Sequence, residues 1–127
     1  MPSAVCFTIP GEPRSKGRPR FSKTGRTYTP ASTKIAEKAV EDAYRIATPG
    51  PNGWRVFRGR LSVEIVFVCK HRRRRDLDNM GKLVLDALNG VAYLDDEQID
   101  SLHLERLWTD GDPETRVLIW SLEEESV

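Results

Sequence analysis

The fold of this chain is decided by the stretch LSVEIVFVCKHRRRRDLDNMGKLVLDALNG, residues 61–90. Residues 61–69 are apolar at almost every position and rich in β-branched side chains, which predicts a central strand buried on both faces. Residues 77–89 then carry apolar side chains at helical spacing, which predicts an amphipathic helix that ends at Asn89-Gly90. Between these two elements, four consecutive arginines run directly into Asp76 and Asp78.

Upstream of this stretch, the sequence predicts a strand, a long loop and a helix. Residues 4–9 alternate apolar and polar side chains and stop at Pro10-Gly11, as a strand does. Residues 10–30 form a basic loop, with short β-like pieces at Phe21 and Tyr28 around a turn at Thr24-Gly25. A helix is expected from Thr29-Pro30 to about residue 47, with its apolar stripe formed by Ile35, Ala39 (with Val40), Ala43 and Ile46.

Downstream, residues 102–108 and 116–122 read as two further strands. The turn sequence TDGDPE between them predicts an antiparallel hairpin. The expected order is therefore β-α-β-α-β-β. It describes an α+β fold, a small mixed β-sheet packed by two helices, in a single domain covering residues 1–127.

Composition narrows the class of protein. The chain is 39% hydrophobic and 31% charged, which is ordinary for a globular domain, and no apolar run approaches the ~20 residues that span a bilayer. The N-terminus lacks the features of a signal peptide. Cys6 and Cys69 lie in strand-like contexts and are interpreted as buried thiols of a reducing compartment. A cytoplasmic protein without membrane contact is expected.

The charge of the chain is divided sharply between its two halves. Residues 1–75 hold 17 Lys and Arg against 5 Asp and Glu, whereas residues 76–127 hold 3 against 14, so that charges of +12 and −11 leave the net +1. Such asymmetry indicates a nucleic-acid partner, because the basic half can neutralise phosphates by displacing counterions. The predicted DNA-binding residues are Arg14, Lys16, Arg18, Arg20, Lys23, Arg26, Arg72, Arg73, Arg74 and Arg75. The alternative is a solvated basic loop.

The acidic half contains a candidate metal site. If the segment after the second helix returns beside the central strand, Asp95 or Asp96 can approach Asp76 and Asp78. Carboxylates and water suit Mg²⁺ or Mn²⁺, and Lys82 would face the same pocket, where it can neutralise charge on a phosphate. Simpler readings remain open: a helix cap for Asp76, a surface ion-pair ladder along Asp78, Lys82 and Asp86, and a solvated acidic loop.

One compound motif indicates a resemblance to a known protein family. RRRRDLDNMGKLVLDALNGVAYLDDEQI, residues 72–99, resembles the signature of the RusA-type Holliday-junction resolvases, which are common in bacteriophages and prophages. GEPRSKGRPRF upstream is similar to the N-terminal loop of many phage members. The resemblance implies a homodimeric, Mg²⁺-dependent endonuclease that resolves four-way DNA junctions by paired symmetric incisions in recombination and repair. It assigns Asp76, Asp78 and Asp96 as metal-binding catalytic carboxylates, with Asp95 able to share the last role, and Lys82 as the catalytic lysine.

Two rival functions are compatible with the same residues. One is a less selective nuclease that cuts flaps or forks in branched DNA. The other is a non-catalytic DNA-binding module, in which the carboxylates only balance surface charge. A hydrolase of small nucleotides is disfavoured, because the basic loops exceed what one small phosphate needs. The sequence does not separate junctions from flaps, or assign a role to Asp86.

Overall fold

The computed structural model describes residues 3–17, 20–51 and 53–123. Within these residues the backbone forms one four-stranded sheet, two helices and several short elements. In chain order they are β1 (Ala4–Pro10), β2 (Arg20–Phe21), β3 (Thr27–Tyr28), α1 (Ala31–Ala47), β4 (Pro49–Gly50), β5 (Gly53–Trp54), β6 (Leu61–Cys69), α2 (Leu77–Leu88), a 3₁₀ turn (Asp96–Gln98), β7 (Ile99–Trp108) and β8 (Glu114–Ser121). The predicted α+β class with a mixed sheet and two helices is confirmed.

The main sheet has the strand order β1-β8-β6-β7. Strand β6 pairs with β7 in parallel and with β8 in antiparallel orientation, and β8 pairs antiparallel with β1. The predicted central position of β6 is confirmed. Its burial explains that position, because seven of its nine residues are buried and an edge would expose one flank.

The predicted hairpin between the last two strands is wrong. β7 and β8 lie on opposite sides of β6, so the connecting turn crosses the end of that strand, where the Thr109 amide donates to the Cys69 carbonyl at 2.9 Å. The residues Asp110-Gly111 favour a tight turn, but they do not determine which strands pair on either side of it. A turn that crosses the end of β6 suits them as well as a hairpin does. Because the buried strand β6 needs a hydrogen-bonded strand on each side, β7 and β8 pair with β6 and not with each other.

Both helices pack against the core, but α1 buries only part of the predicted stripe: Val40 is buried and Ala43 packs against the core, whereas the two ends of the stripe do not. Its buried residues are Thr33, Val40 and Tyr44, whereas Ile35 and Ile46 are 72% and 79% exposed. Tyr44 is fully buried and its hydroxyl donates to the Arg55 carbonyl at 2.6 Å. An aromatic ring with a satisfied polar tip therefore replaces the aliphatic stripe as the anchor of this helix.

Helix α2 follows the predicted stripe closely. Met80, Val84 and Leu88 are buried, while Leu77 and Leu85 are partly buried against the same core. Gly81 is also buried in this face, and a Cβ placed there would lie 2.6 Å from a methyl carbon of Leu104. The glycine thus permits close packing of α2 on β7.

Two smaller expectations have different outcomes. The β-like pieces in the basic loop are confirmed as β2 and β3, which pair across a turn containing Gly25 at φ +82°. The expected burial of both thiols is half wrong, because Cys69 is buried but Cys6 is exposed on the edge strand β1. No helix in the described part of the chain is long and apolar enough to cross a bilayer.

Candidate functional site

The β6–α2–β7 unit positions the acidic residues. Asp76 is the N-cap residue of α2, yet its side chain makes no capping hydrogen bond, so the helix-cap interpretation is not supported. Asp78 lies in the first turn, is exposed, and accepts one hydrogen bond from the Asn79 amide at 2.9 Å. Both carboxylates therefore remain accessible to a ligand beside an electropositive helix N-terminus.

Lys82 follows Asp78 by one helical turn and Asp86 follows by another. The Lys82 ammonium lies 3.8 Å from the Asp86 carboxylate and its side chain is 63% exposed. The same Asp86 oxygen also pairs with Lys16, which belongs to the basic loop. Part of the proposed ion-pair ladder is therefore present, but its carboxylate serves a second lysine from a distant part of the chain.

The second acidic pair lies in the turn before β7, and Gln98 fixes this turn. The Gln98 side-chain oxygen accepts the amides of Leu94 and Asp95 at 2.8 and 3.0 Å, and the Asp95 carboxylate accepts the Glu97 amide at 3.3 Å. The Gln98 side-chain nitrogen donates to backbone carbonyls of the connector before β6, at Phe57 and Gly59. The acidic turn is thus held to the body of the protein by a satisfied buried amide.

Electrostatics show that Asp96 lies among other acidic groups. The hydrogen bond with Asp95 raises the pKa of Asp96, with partial burial and the charges of Asp95 and Asp86 acting in the same direction and Lys82 opposing them. Burial, followed by the charges of these three carboxylates, raises the pKa of Tyr93, which stays neutral and donates to the Leu85 carbonyl at 2.7 Å. Carboxylates that crowd together in this way favour a bound cation.

The carboxylates predicted to share a metal are not gathered in one cluster. Across residues 3–17, 20–51 and 53–123, no three His, Cys, Asp or Glu side chains lie close enough to hold one ion. Asp96 is near Lys82 and Asp86, whereas Asp78 lies about 12 Å from Asp86 along the helix axis, at 1.5 Å per residue. Lys82 lies one helical turn after Asp78 and close enough to Asp96 for its charge to oppose the rise in the pKa of that carboxyl.

The residues present fit a hard divalent cation in their chemistry. Each pair offers only oxygen donors, and Mg²⁺ is commonly held by one or two carboxylates with water and substrate phosphate oxygens completing its shell. The raised pKa of Asp96 indicates a pair whose mutual repulsion a cation would relieve. A shared site of Asp76, Asp78 and Asp96 stays a prediction.

The basic loop docks on α2 beside these groups. The Lys16 amide donates to the Asn79 carbonyl at 3.3 Å, and the Asn79 side chain donates back to the Lys16 carbonyl at 2.8 Å. Of the other predicted DNA-binding residues in this loop, Arg14, Lys23 and Arg26 are exposed. Arg18 lies outside the described residues, and only the backbone of Arg20 is described.

The arginine run divides into two kinds of residue. Arg72, Arg73 and Arg74 are exposed; Arg72 stacks over the Trp108 ring at 4.2 Å, and Arg74 lies 3.9 Å from the Asp76 carboxylate. Arg75 is buried and binds the backbone instead. The first three guanidinium groups are available to phosphates.

Three further residues of this region were missed by sequence reasoning. Glu12 binds the backbone at the start of the basic run, Arg106 donates to the Arg75 carbonyl, and Asn79 holds the basic loop. A single acidic residue within an otherwise basic loop was a signal that could have identified Glu12. Asn79 belongs to the compound motif, but the motif did not reveal its role in holding the loop, and nothing local distinguishes Arg106, because the partners of both are distant in sequence.

Comparisons with known proteins were consistent with one family. The family model described as Endodeoxyribonuclease RusA matches residues 10–120. The chain is 29% identical over 135 residues to the uncharacterized protein YqaN of Bacillus subtilis (strain 168), covering 91% of this chain and 94% of that protein. It is 30% identical over 105 residues to the crossover junction endodeoxyribonuclease RusA of Shigella sonnei (strain Ss046), covering 76% and 78%.

Proposed function

The chain belongs to the RusA family of endodeoxyribonucleases, and we propose that it resolves four-way DNA junctions by paired symmetric incisions in a reaction that depends on Mg²⁺. The observation that carries this proposal is the shared carboxylate of Asp86. It binds Lys82 of the candidate catalytic helix and Lys16 of the basic loop. The surface that would hold the DNA backbone is thereby fixed next to the carboxylates that would act on it.

The basic residues would attract DNA phosphates to a site that is otherwise acidic. The carboxylates of the candidate metal site would repel a phosphodiester, whereas the exposed cations of the basic loop and of the arginine run would attract it. Phosphate contacts position a duplex without reading its sequence, so selectivity for a junction would come from shape. The largely exposed side chain of Lys82, one helical turn after Asp78, supports a role in neutralising charge that develops on the phosphate.

The metal is assigned by chemistry. Asp76, Asp78 and Asp96, with Asp95 adjacent, are the proposed ligands of Mg²⁺, for which Mn²⁺ would substitute. A divalent cation in such a site activates water and stabilises phosphate oxygens during an in-line displacement. The carboxylates of the chain would orient this ion, and Asn79 and Gln98 hold the two segments that carry them.

A homodimer is proposed on grounds of symmetry. A four-way junction has approximate two-fold symmetry, so a two-fold protein presents one site to each of two equivalent strands. This arrangement would explain paired incisions. Action in the cytoplasm of a bacterial cell is proposed because the substrate of the family is DNA, and an origin in a bacteriophage or prophage stays a prediction.

Cleavage of defined substrates tests the proposal. The wild-type protein with Mg²⁺ is incubated with a synthetic four-way junction, a flap, a fork and a linear duplex of matched sequence. We expect symmetric nicks in the junction that ligase can seal, at a rate well above that for the other substrates. Equal cutting of flaps or forks would instead favour the less selective branched-DNA nuclease. Junction binding without any cleavage would favour the non-catalytic module.

A further inference from the structure

Glu12 is the only acidic residue between Pro10 and Pro30, in a loop otherwise rich in Lys and Arg. Its carboxylate accepts the Lys70 amide at 3.0 and 3.1 Å and the His71 amide at 3.0 Å, where β6 gives way to the arginine run. It also lies 3.0 Å from the Arg75 guanidinium. One side chain therefore joins the basic loop to both ends of the arginine run.

Arg75 completes this connection from the other side. Only 6% of its side chain is exposed, and its guanidinium donates to the Pro13 carbonyl at 2.6 Å and the His71 carbonyl at 2.5 Å. Its remaining nitrogen donates to the Arg73 carbonyl at 3.3 Å. All three guanidinium nitrogens of Arg75 therefore donate to backbone carbonyls, and these bonds join the basic loop to the arginine run.

Both of these segments line one groove of about 570 Å³. Arg14 from the loop and His71, Arg73 and Arg74 from the run line it, together with Ser32 and Thr33 of the first turn of α1. That turn carries no acidic side chain. The groove therefore offers cations from two segments, and their mutual repulsion would separate its walls unless something holds them together.

We propose that Glu12 is a positioning residue that, with Arg75, holds the basic loop and the arginine run as the two walls of a groove for the phosphate backbone of DNA. The inference rests on the proposed function for its ligand, but the positioning itself is a property of the protein alone. The hydrogen bonds that Glu12 accepts favour its ionised form. Burial would raise its pKa, and the amides of Lys70 and His71 with Arg75 outweigh this and keep it below its ordinary value.

The direction in which one substitution changes DNA affinity distinguishes a positioning role of Glu12 from a purely electrostatic one. A carboxylate beside a DNA-binding surface repels phosphates, so its removal should tighten binding if charge alone matters. Glu12→Gln removes the charge and places an amide nitrogen where donors now point at the carboxylate. We expect it to weaken junction binding about tenfold, because the walls separate, even though the protein becomes more positive.

A second measurement does not involve DNA. Amide hydrogen exchange at Lys70 and His71 should be slow in the wild-type protein and should accelerate in Glu12→Gln, while the amides of β6 stay protected. Glu114→Gln is the matched control. It removes a carboxylate at the residue paired with Pro10, where Glu114 binds only the exposed Arg116 at 2.7 Å among its described contacts. This variant should bind the junction at least as tightly as wild type.

The outcomes are distinct. Weaker binding by Glu12→Gln together with faster exchange at Lys70 and His71 supports the inference, and equal or tighter binding or unchanged exchange overturns it. If Glu12→Gln does not fold, Glu12→Asp keeps the charge at shorter reach and should show the same two changes to a smaller degree. A wild-type protein that does not bind junctions would overturn the proposed function, while the exchange result would still decide whether Glu12 fastens the two segments.

Discussion

The ammonium group of Lys16 is paired with the carboxylate of Asp86, so the basic loop is tied to the last turn of α2, the helix that carries the candidate catalytic lysine. The same carboxylate oxygen lies 3.8 Å from Lys82. A residue that holds two cations in this way affects both the position of the DNA backbone and the lysine proposed to act on it. Its removal tests whether these two parts work together.

Asp86→Asn should slow single-turnover cleavage of a four-way junction about tenfold, because displacement of a positioned group by even 1 Å is costly. Junction binding should be retained, because the hydrogen bonds between Lys16 and Asn79 still hold the basic loop on α2 and no cation is removed. Asp42→Asn is a suitable control, because Asp42 pairs with the exposed Lys38 at 3.2 Å on α1. Cleavage by Asp86→Asn at the wild-type rate would contradict a role for the shared carboxylate.

Gln98→Leu should destabilise the protein and release the acidic turn. The substitution leaves the carbonyls of Phe57 and Gly59 and the amides of Leu94 and Asp95 without their partner. Unsatisfied buried polar groups cost about 1–3 kcal/mol, so the free energy of unfolding in urea should fall by about 2 kcal/mol or more. Glu105→Gln, at an exposed position of β7, should leave it nearly unchanged. Equal stability of Gln98→Leu and wild type would contradict this account of the turn.

Mg²⁺ should raise the melting temperature of the wild-type protein at neutral pH, because a ligand that binds only the folded state stabilises it. The rise should disappear in Asp96→Asn, which removes one of the crowded carboxylates. Asp112→Asn changes an exposed carboxylate in the turn before β8 and should keep the rise. Thermal unfolding with and without Mg²⁺ measures this directly, and an unchanged shift in Asp96→Asn would exclude Asp96 as a ligand.

Glu12 should also stabilise the fold in a pH-dependent manner. Its pKa is lowered in the folded protein, so ionised Glu12 contributes fully above the unfolded value of about 4.3, and this contribution is lost as the pH falls through the folded pKa. The difference in melting temperature between wild type and Glu12→Gln should therefore be largest near about pH 6 and shrink toward about pH 3. A difference that does not vary with pH would contradict it.

The parts of the fold that local sequence dictates were predicted well. Strand β6 begins and ends at the predicted residues, and α2 ends one residue early, because a continuous apolar run and a helical stripe each identify their own element. The parts that depend on distant partners were not. The hairpin prediction failed because β6 takes both neighbours. The stripe predicted for α1 holds only at Val40 and Ala43, because Tyr44 is buried in place of Ile35 and Ile46.

The candidate site shows the same division. Its acidic and basic residues could be identified from a compound motif, since each residue type is needed by the chemistry. Its internal connections could not, because Glu12 with Arg75 and Lys16 with Asp86 join residues far apart in the chain. Nor could the sequence reveal that Arg75 is buried while its three neighbours are exposed.

Single-turnover cleavage of a four-way junction by Asp78→Asn with Mg²⁺ tests the central claim most directly, because this substitution removes one negative charge from an exposed side chain of α2. Glu105→Gln serves as the control that loses an equal charge elsewhere. We predict that Asp78→Asn binds the junction as tightly as wild type and makes no incisions, while the control cuts normally. Incision by Asp78→Asn at the wild-type rate would contradict the assignment of these carboxylates to a nuclease site.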